Sequence, residues 1–445
     1  LRNETVILRL FLLFYRLAWL VLTPLVLAYL WHRGRKDADY RRFLPERFGH
    51  YGRPLPQDVI WIHAVSLGEM RSATALVRAL ITRGEKVVLT HFTPAGRRES
   101  QRLFGPEIAS GQVTVVWVPL DMFWCYRRFF RACRPRIGLT LEVEIWPAMI
   151  FAARSAGVPL YLCNGIYGTR SLARDSRGLR LRQRVIAGLA GAFVKSDLQA
   201  ARFARTGLRN ITVTGELRFD QPIPPDQIRA AAALAPALRH GGREVITIAS
   251  GVEGEEALFT QVIRQTRSQP PGRKAPLFVY VPRAPERFDA VAEGLRAAGL
   301  AVLRRSAALD AGLSPLEPLE PLDGADVLLG DSLGEMFFYL ALCDRAVVGG
   351  GFTPRGAHNI IEALMLGKPV VTGPHTWTIE YPFAEAEAAG IAQSLSDGPA
   401  LLAALCAPAP DNRAAITAFL AEHAGASART LAEVDRIIGA HASRS

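Results

Sequence analysis

Two kinds of residue in this chain are placed where they could do chemistry: carboxylates that follow short apolar runs, and glycine turns that lead into helices. In His63-Ala-Val-Ser-Leu-Gly-Glu69 an apolar run passes through Gly68 into a stretch with helical periodicity. Glu69 then falls in the first helical turn, where unpaired N–H groups and the positive end of the helix dipole favour an ionised carboxylate. Such a group can take a proton from an attacking hydroxyl. Ser66 and Glu69 are also spaced as a capping box, in which both side chains only satisfy the helix's own N–H groups. The spacing fits either role.

Glu142 and Glu144 follow the apolar run 137–141. Strand alternation would place them on the same face, which is costly if both are buried and favours an open cleft lip over a core position. Pro282 and Arg283 come directly after the run 277–281, and an arginine there suits bidentate phosphate contact, with a surface pair to Glu286 as the plain alternative. Gly330-Asp-Ser-Leu333-Gly334-Glu335 is a glycine turn into a helix, which ordinary turn chemistry also explains. Residues 345–371 place an apolar strand, the loop Gly349-Gly350-Gly351, a turn through Arg355 and Gly356, and a helix opening near His358 and Asn359 in that order. A glycine loop feeding a helix N-terminus aims unpaired N–H groups at one spot and makes an anion site. Asn359 and Glu362 again have capping-box spacing.

These positions need a scaffold that brings strand ends together. Apolar runs at 59–63, 86–90, 114–118, 137–141, 160–163, 192–194 and 211–214 alternate with helical stretches such as 70–83 and 96–104. The pattern resumes at 245–249, 277–281, 301–303, 327–329, 346–348 and 369–372. Short apolar strands alternating with helices predict parallel sheets covered on both faces. The proline-rich stretch 215–227 lacks helical periodicity and reads as a linker. The expected organisation is a membrane-anchor segment (1–34), a Rossmann-like domain (35–215), a linker (216–227) and a second Rossmann-like domain (228–445). Alanine-rich helices from about 412 to 440 are expected to pack back across the hinge. Two doubly wound domains joined by a hinge form a cleft, and their ligands bind at the carboxyl ends of the strands.

With 445 residues, 49% of them hydrophobic, the chain can bury more than one core. Its formal charge of +12 calls for an acidic partner, either an anionic membrane or a phosphorylated substrate. Nucleic acid ranks last, because no zinc-finger, basic-helix or aromatic RNA-binding pattern is present. The five cysteines, Cys125, Cys133, Cys163, Cys343 and Cys406, show no CxxC pair and read as buried thiols in a reducing compartment. No histidine pattern predicts a bound metal. Residues 10–31 are apolar except for Tyr15, Arg16 and Thr23, long enough to span a bilayer. Arg16 leaves an interfacial helix as the alternative. A cleaved signal peptide ranks below both, because the run is long and no small-residue cleavage site follows it. Arg33, Arg35, Lys36, Arg41, Arg42 and Arg47 follow, which places the body of the protein on the cytoplasmic side against anionic lipid.

Taken in order, HAVSLGE, LEVEIWP, GELRFD, VPRAPERF, GDSLGEM, GAHNIIEAL and GPHTW, behind an apolar N-terminus and a basic RGRK segment, resemble the Kdo (3-deoxy-D-manno-octulosonic acid) transferases of Gram-negative bacteria. The resemblance covers nearly the whole chain. It implies an α/β protein of the GT-B fold, two Rossmann-like domains facing across a cleft, on the cytoplasmic face of the inner membrane. It implies inverting transfer of Kdo from CMP-Kdo to a phosphorylated, acylated lipid A precursor, without a cofactor or enzyme-bound metal. By motif position Glu69 would be the general base, and Glu142 and Arg218 would stabilise the transition state. The CMP site would comprise Pro282, Arg283, Leu333, Gly334, Glu335, Asn359, Ile360, Ile361 and Glu362. The chain departs from the family's usual residues at Arg218 (lysine), Gly251-Val252 (Thr-His), Gly351 (serine), Ala357 (glycine) and Gly165-Ile166 (Ala-Arg).

Overall fold

A computed structural model describes residues 2–267, 274–316 and 324–442. The chain divides into two compact units, residues 1–222 with 423–445, and residues 223–422. The first is built on seven parallel strands: β1 (Ile60–His63), β2 (Val87–His91), β3 (Val113–Trp117), β4 (Ile137–Leu141), β5 (Leu160–Gly165), β6 (Gly191–Val194) and β7 (Ile211–Val213). Their order is β3-β2-β1-β4-β5-β6-β7, so the winding reverses between β1 and β4. Pleating sends Ile60 and Ile62 to a core with Met70, Leu76 and Leu139. It sends Trp61 to the opposite core with Val88, Phe129 and Leu160. The Trp61 ring leaves no space beside β4, where a Cβ on Gly138 would lie 2.7 Å from it.

The second unit carries β8 (Val245–Gly251), β9 (Leu277–Pro282), β10 (Val302–Arg304), β11 (Val327–Leu329), β12 (Arg345–Val348), β13 (Val370–Thr372) and β14 (Ala392–Ser394). All are parallel in the order β10-β11-β9-β8-β12-β13-β14, and the winding reverses between β8 and β12. Every strand but β14 lies on an apolar run read from the sequence. Strands covered on both faces are apolar throughout. Residues 215–227 hold a 3-10 turn, Leu217–Asp220, whose Leu217 and Phe219 are buried, and the start of the helix Pro225–Leu238. The units divide between Pro222 and Ile223.

At the N-terminus, α1 (Arg2–Arg33) is long and apolar enough to cross a membrane. One side of it is docked on the first unit. Leu8, Phe11 and Tyr15 pack against the Trp61 core, and Trp19 and Val26 against Leu120, Met122 and Cys125. The Tyr15 hydroxyl donates to Asp121 Oδ2 at 2.6 Å. The other side exposes Leu10, Leu13, Phe14, Leu17, Leu20, Val21 and Leu25.

Candidate active site

At the carboxyl end of β1 the chain turns through Ser66 into α2 (Leu67–Thr82). Here the capping box is real. The Ser66 N–H donates to Glu69 Oε2 at 2.9 Å, and the Glu69 N–H donates to Ser66 Oγ at 3.4 Å. Glu69 is only 7% exposed. Burial first, and Glu144 and Glu142 after it, push its carboxyl up to about 8, against the N–H groups of Ser66 and Val65 that hold it down. This corrects the expectation of a carboxylate kept ionised by the helix terminus. Desolvation outweighs the dipole, and the acid is poised near the pH at which it would work.

Beneath this turn lie two fully buried histidines. His63 is pushed down to about 3 and His91 to about 4, each chiefly by burial, so both rings are neutral. His91 Nδ1 bonds the Ala64 carbonyl at 2.7 Å and its Nε2 meets Ser100 Oγ at 2.9 Å, which fixes the tautomer with the proton on Nδ1. The ring is a prop for the Ala64 to Ser66 turn, a role no local sequence pattern announces.

β4, next to β1 across the reversal, ends at Leu141, and Glu142 adopts left-handed backbone, φ 54°. Strand alternation therefore stops before the two carboxylates, and they do not simply share a face. Glu142 Oε1 accepts from Arg218 Nη2 at 2.6 Å, while Glu144 Oε2 accepts from Trp146 Nε1 at 2.6 Å. Burial pushes the Glu144 carboxyl up.

Arg218 stands on the Leu217–Asp220 turn, and a buried cluster sets that turn. Lys195 Nζ lies 2.6 Å from Glu216 Oε2, with side chains 4% and 1% exposed. Asn164 Nδ2 donates to Glu216 Oε1 at 2.8 Å, and Asn164 Oδ1 accepts from the Leu217 N–H at 3.1 Å. Burial alone would raise the Glu216 carboxyl, but Lys195, Arg218 and the Asn164 amide bring it down to about 2. The sequence reading missed Lys195, Asn164 and Glu216. The available signal was position at a strand's carboxyl end: Asn164 is the next-to-last residue of β5, Lys195 directly follows β6, and Glu216 comes shortly after β7.

In the second unit β9 ends at Pro282, and exposed Arg283 follows. The Arg283 N–H donates to the Gly251 carbonyl at 2.8 Å, and its side chain makes no hydrogen bond or ion pair among the described residues. His358 is neutral nearby: burial, and then the Arg283 charge, push it down to about 4. After β11, Leu333 is 71% exposed and Gly334 has φ 84°. Glu335 is already engaged, because Arg305 Nη2 and Nε donate to its two oxygens at 2.6 and 2.8 Å.

The glycine loop after β12 differs from the expected anion cradle. Buried Glu255 occupies it: the Gly350 N–H donates to both its oxygens at 2.8 Å, and the N–H groups of Phe352 and Val252 donate at 3.0 Å. A carboxylate of the chain itself thus takes these donors. The helix Ile361–Met365 follows, with Asn359 Oδ1 accepting from the Ile361 N–H at 3.0 Å. Ile360 and Ile361 are buried, so only their backbone could meet a ligand, and Glu362 is half-buried in the first turn. The structure thus brings Glu69, Glu142 and Arg218 to one edge of the first sheet. It brings Pro282–Arg283, Leu333–Glu335 and 359–362 to the same edge of the second. Among the described residues no group of three or more His, Cys, Asp or Glu is arranged to hold a metal ion.

Residues 42–221 match the family model described as 3-Deoxy-D-manno-octulosonic-acid transferase (kdotransferase). The chain is 41% identical over 436 residues to a 3-deoxy-D-manno-octulosonic acid transferase of Bordetella pertussis, covering 96% of this chain and 99% of that one. It belongs to this family. The corresponding Haemophilus influenzae enzyme is 29% identical over 371 residues, 82% of each chain. A glycosyltransferase structure from Rickettsia africae aligns with TM-score 0.56 at 11% identity over 86% of this chain and 98% of its own. At that identity the likeness concerns the fold alone, and the fold is GT-B. This Kdo transferase is a glycosyltransferase with its carboxylates on the first unit, at the sheet's switch point.

Proposed function

We propose that the chain transfers Kdo from CMP-Kdo to a hydroxyl of a phosphorylated, acylated lipid A precursor, with inversion at the anomeric carbon. The observation that carries this reading is Glu69, buried at the switch point with its carboxyl near 8, within the field of Glu142 and Glu144. In its ionised form Glu69 takes the proton of the acceptor hydroxyl while that oxygen bonds the anomeric carbon. The bond from the anomeric carbon to CMP breaks in the same displacement, and CMP leaves with the electron pair. A single displacement inverts the configuration.

Arg218, joined to Glu142, carries positive charge at this edge and would oppose charge developing on the reacting groups. Donor recognition falls to the second unit. Arg283 would meet the CMP phosphate, and Leu333 would meet the base. The backbone of Pro282, Gly334, Asn359, Ile360 and Ile361, with the Glu362 carboxylate, would complete the nucleotide contacts. Glu335, held by Arg305, would shape the turn beneath them. The apolar α1 and its basic flank support a place at the inner membrane with both units on the cytoplasmic side.

The test is to incubate the purified chain with CMP-Kdo and tetraacylated lipid A precursor and weigh the products. A mass increase of one or more Kdo residues is expected. Transfer from a UDP-sugar and none from CMP-Kdo would overturn the donor assignment.

A further inference from the structure

A cavity of about 480 Å³ opens between α1 and the helices Phe123–Cys133 and Pro147–Ser155, within the first unit and apart from the carboxylates described above. Arg16, Trp19 and Leu20 form one wall, with Phe123, Trp124 and Arg127 opposite. Its volume is that of a small-molecule site, roughly 300–1,000 Å³. Arg16 and Arg127 have no carboxylate partner among the described residues, and the Arg16 guanidinium carbon lies 3.8 Å from the Phe123 ring centroid. The carboxylate in the wall, Asp121, makes no ion pair with either arginine. Its oxygens are taken by the Tyr15 hydroxyl at 2.6 Å and by the N–H groups of Met149 and Ala148 at 2.8 and 3.2 Å.

Two unpaired guanidinium groups over an aromatic floor suit a phosphate. What joins that phosphate must be apolar. Leu20 lines the cavity and is also 65% exposed on the outer stripe of α1, so the cavity runs into a surface of exposed Leu13, Leu17 and Val21. The tryptophans at its mouth, Trp19 and Trp124, are of the type enriched where a bilayer meets water. With its inner side docked along the unit, α1 has only its outer stripe to offer a membrane, which suits a helix lying along the leaflet surface rather than one surrounded by lipid.

We propose that this cavity seats one anionic phospholipid of the bilayer, its phosphate on Arg16 and Arg127 and an acyl chain leaving past Trp19 and Leu20. The inference rests on the membrane-bound reading given above. The test uses the full chain, delipidated in detergent, then incubated with phosphatidylglycerol and examined by native mass spectrometry. Flotation with phosphatidylcholine vesicles, with and without phosphatidylglycerol, runs alongside. One retained phosphatidylglycerol per chain is expected. The paired variant Arg16→Gln/Arg127→Gln should lower retention about thirtyfold, as removal of two such charges implies. Ser155→Trp, which fills the cavity from its exposed rim without altering charge, should lower retention as well. The control Arg35→Gln/Lys36→Gln removes equal charge from the flank and should weaken flotation while leaving the retained lipid in place. Melting curves of all variants report folding. Equal loss in the control, or retention undiminished in Ser155→Trp, overturns the proposal. A wild-type chain that retains the lipid but transfers no Kdo overturns the functional reading alone.

Discussion

Glu69 is held in a place that is unfavourable for a charge. Its carboxyl sits near 8 against an ordinary 4.5, so the unfolded chain ionises first as pH rises, and stability falls between those values. Glu69→Gln keeps an oxygen to accept the Ser66 N–H and has nothing to ionise. It should melt above the parent at pH 8, match it near pH 4, and turn over about 10²–10⁴ times more slowly. The acid limb of the parent's kcat/KM profile should lie near pH 8. Glu144→Gln removes a like charge and should shift that limb to lower pH; an unmoved limb would sink the assignment of Glu69 as the base. Lys195 and Glu216 present the opposite case, a buried pair whose members need one another. Lys195→Met leaves Glu216 buried without its partner and should cost about 3–5 kcal/mol in a urea titration, with Lys195→Met/Glu216→Met recovering most of it. Because the Glu216 carboxyl is depressed to about 2, its contribution is complete above its ordinary 4.5 and is lost as pH falls through 2.

Among the elements, the glycine loop after β12 leaves no room at Gly351 for the serine that the family resemblance implies there. A Cβ on Gly351 would lie 2.6 Å from the Gly373 nitrogen, and Thr372 crowds the same space. A Cβ on Gly349 would lie 2.6 Å from the Ser250 carbonyl oxygen. Restoring the family's serine, Gly351→Ser, should therefore lower stability by about 1–3 kcal/mol through overpacking, measured by thermal melting. An unchanged melting temperature would mean that the loop and β13 can part. Glu255 explains what sequence could and could not show. The β12 run, the glycines and the helix start are contiguous, and their local pattern was enough to find them. The carboxylate that fills the loop is 95 residues away in the chain and reaches it only because β8 and β12 are neighbours. Lys195 and Glu216 likewise meet through the pairing of β6 with β7, and β14, Ala-Gln-Ser, has no apolar run to reveal it. Glu69 was legible because its motif, turn and helix are a single local stretch. The docked side of α1 was hidden because a helix apolar all round carries no signal of which face is covered.

Across the whole molecule the two units are assembled differently, and this decides which can stand alone. The second is one uninterrupted stretch, 223–422, with its own sheet and a core that includes Ile246, Phe259, Phe278 and Val347. The first needs the end of the chain. The helix Ala426–Ala442 brings Leu431, Val434 and Ile437 into the core of Ile60, Ile62 and Met70. Asp220, two residues past Arg218, accepts from the N–H groups of Gly425 and Ser427 at 2.7 and 2.5 Å, and Arg429 Nε donates to the Thr214 carbonyl at 2.8 Å. Ending the chain at Glu422 removes these ties beside the Arg218 turn, together with three buried aliphatic side chains worth about 1.5–3 kcal/mol each. The shortened chain should lose the first unit's unfolding transition at low denaturant. Residues 223–422 expressed alone should unfold in one cooperative step and bind CMP within a few-fold of the full chain by calorimetry. Gradual, non-cooperative unfolding of that fragment would show that the second unit depends on the first. Cooperative unfolding without CMP binding would instead place essential nucleotide contacts outside residues 223–422.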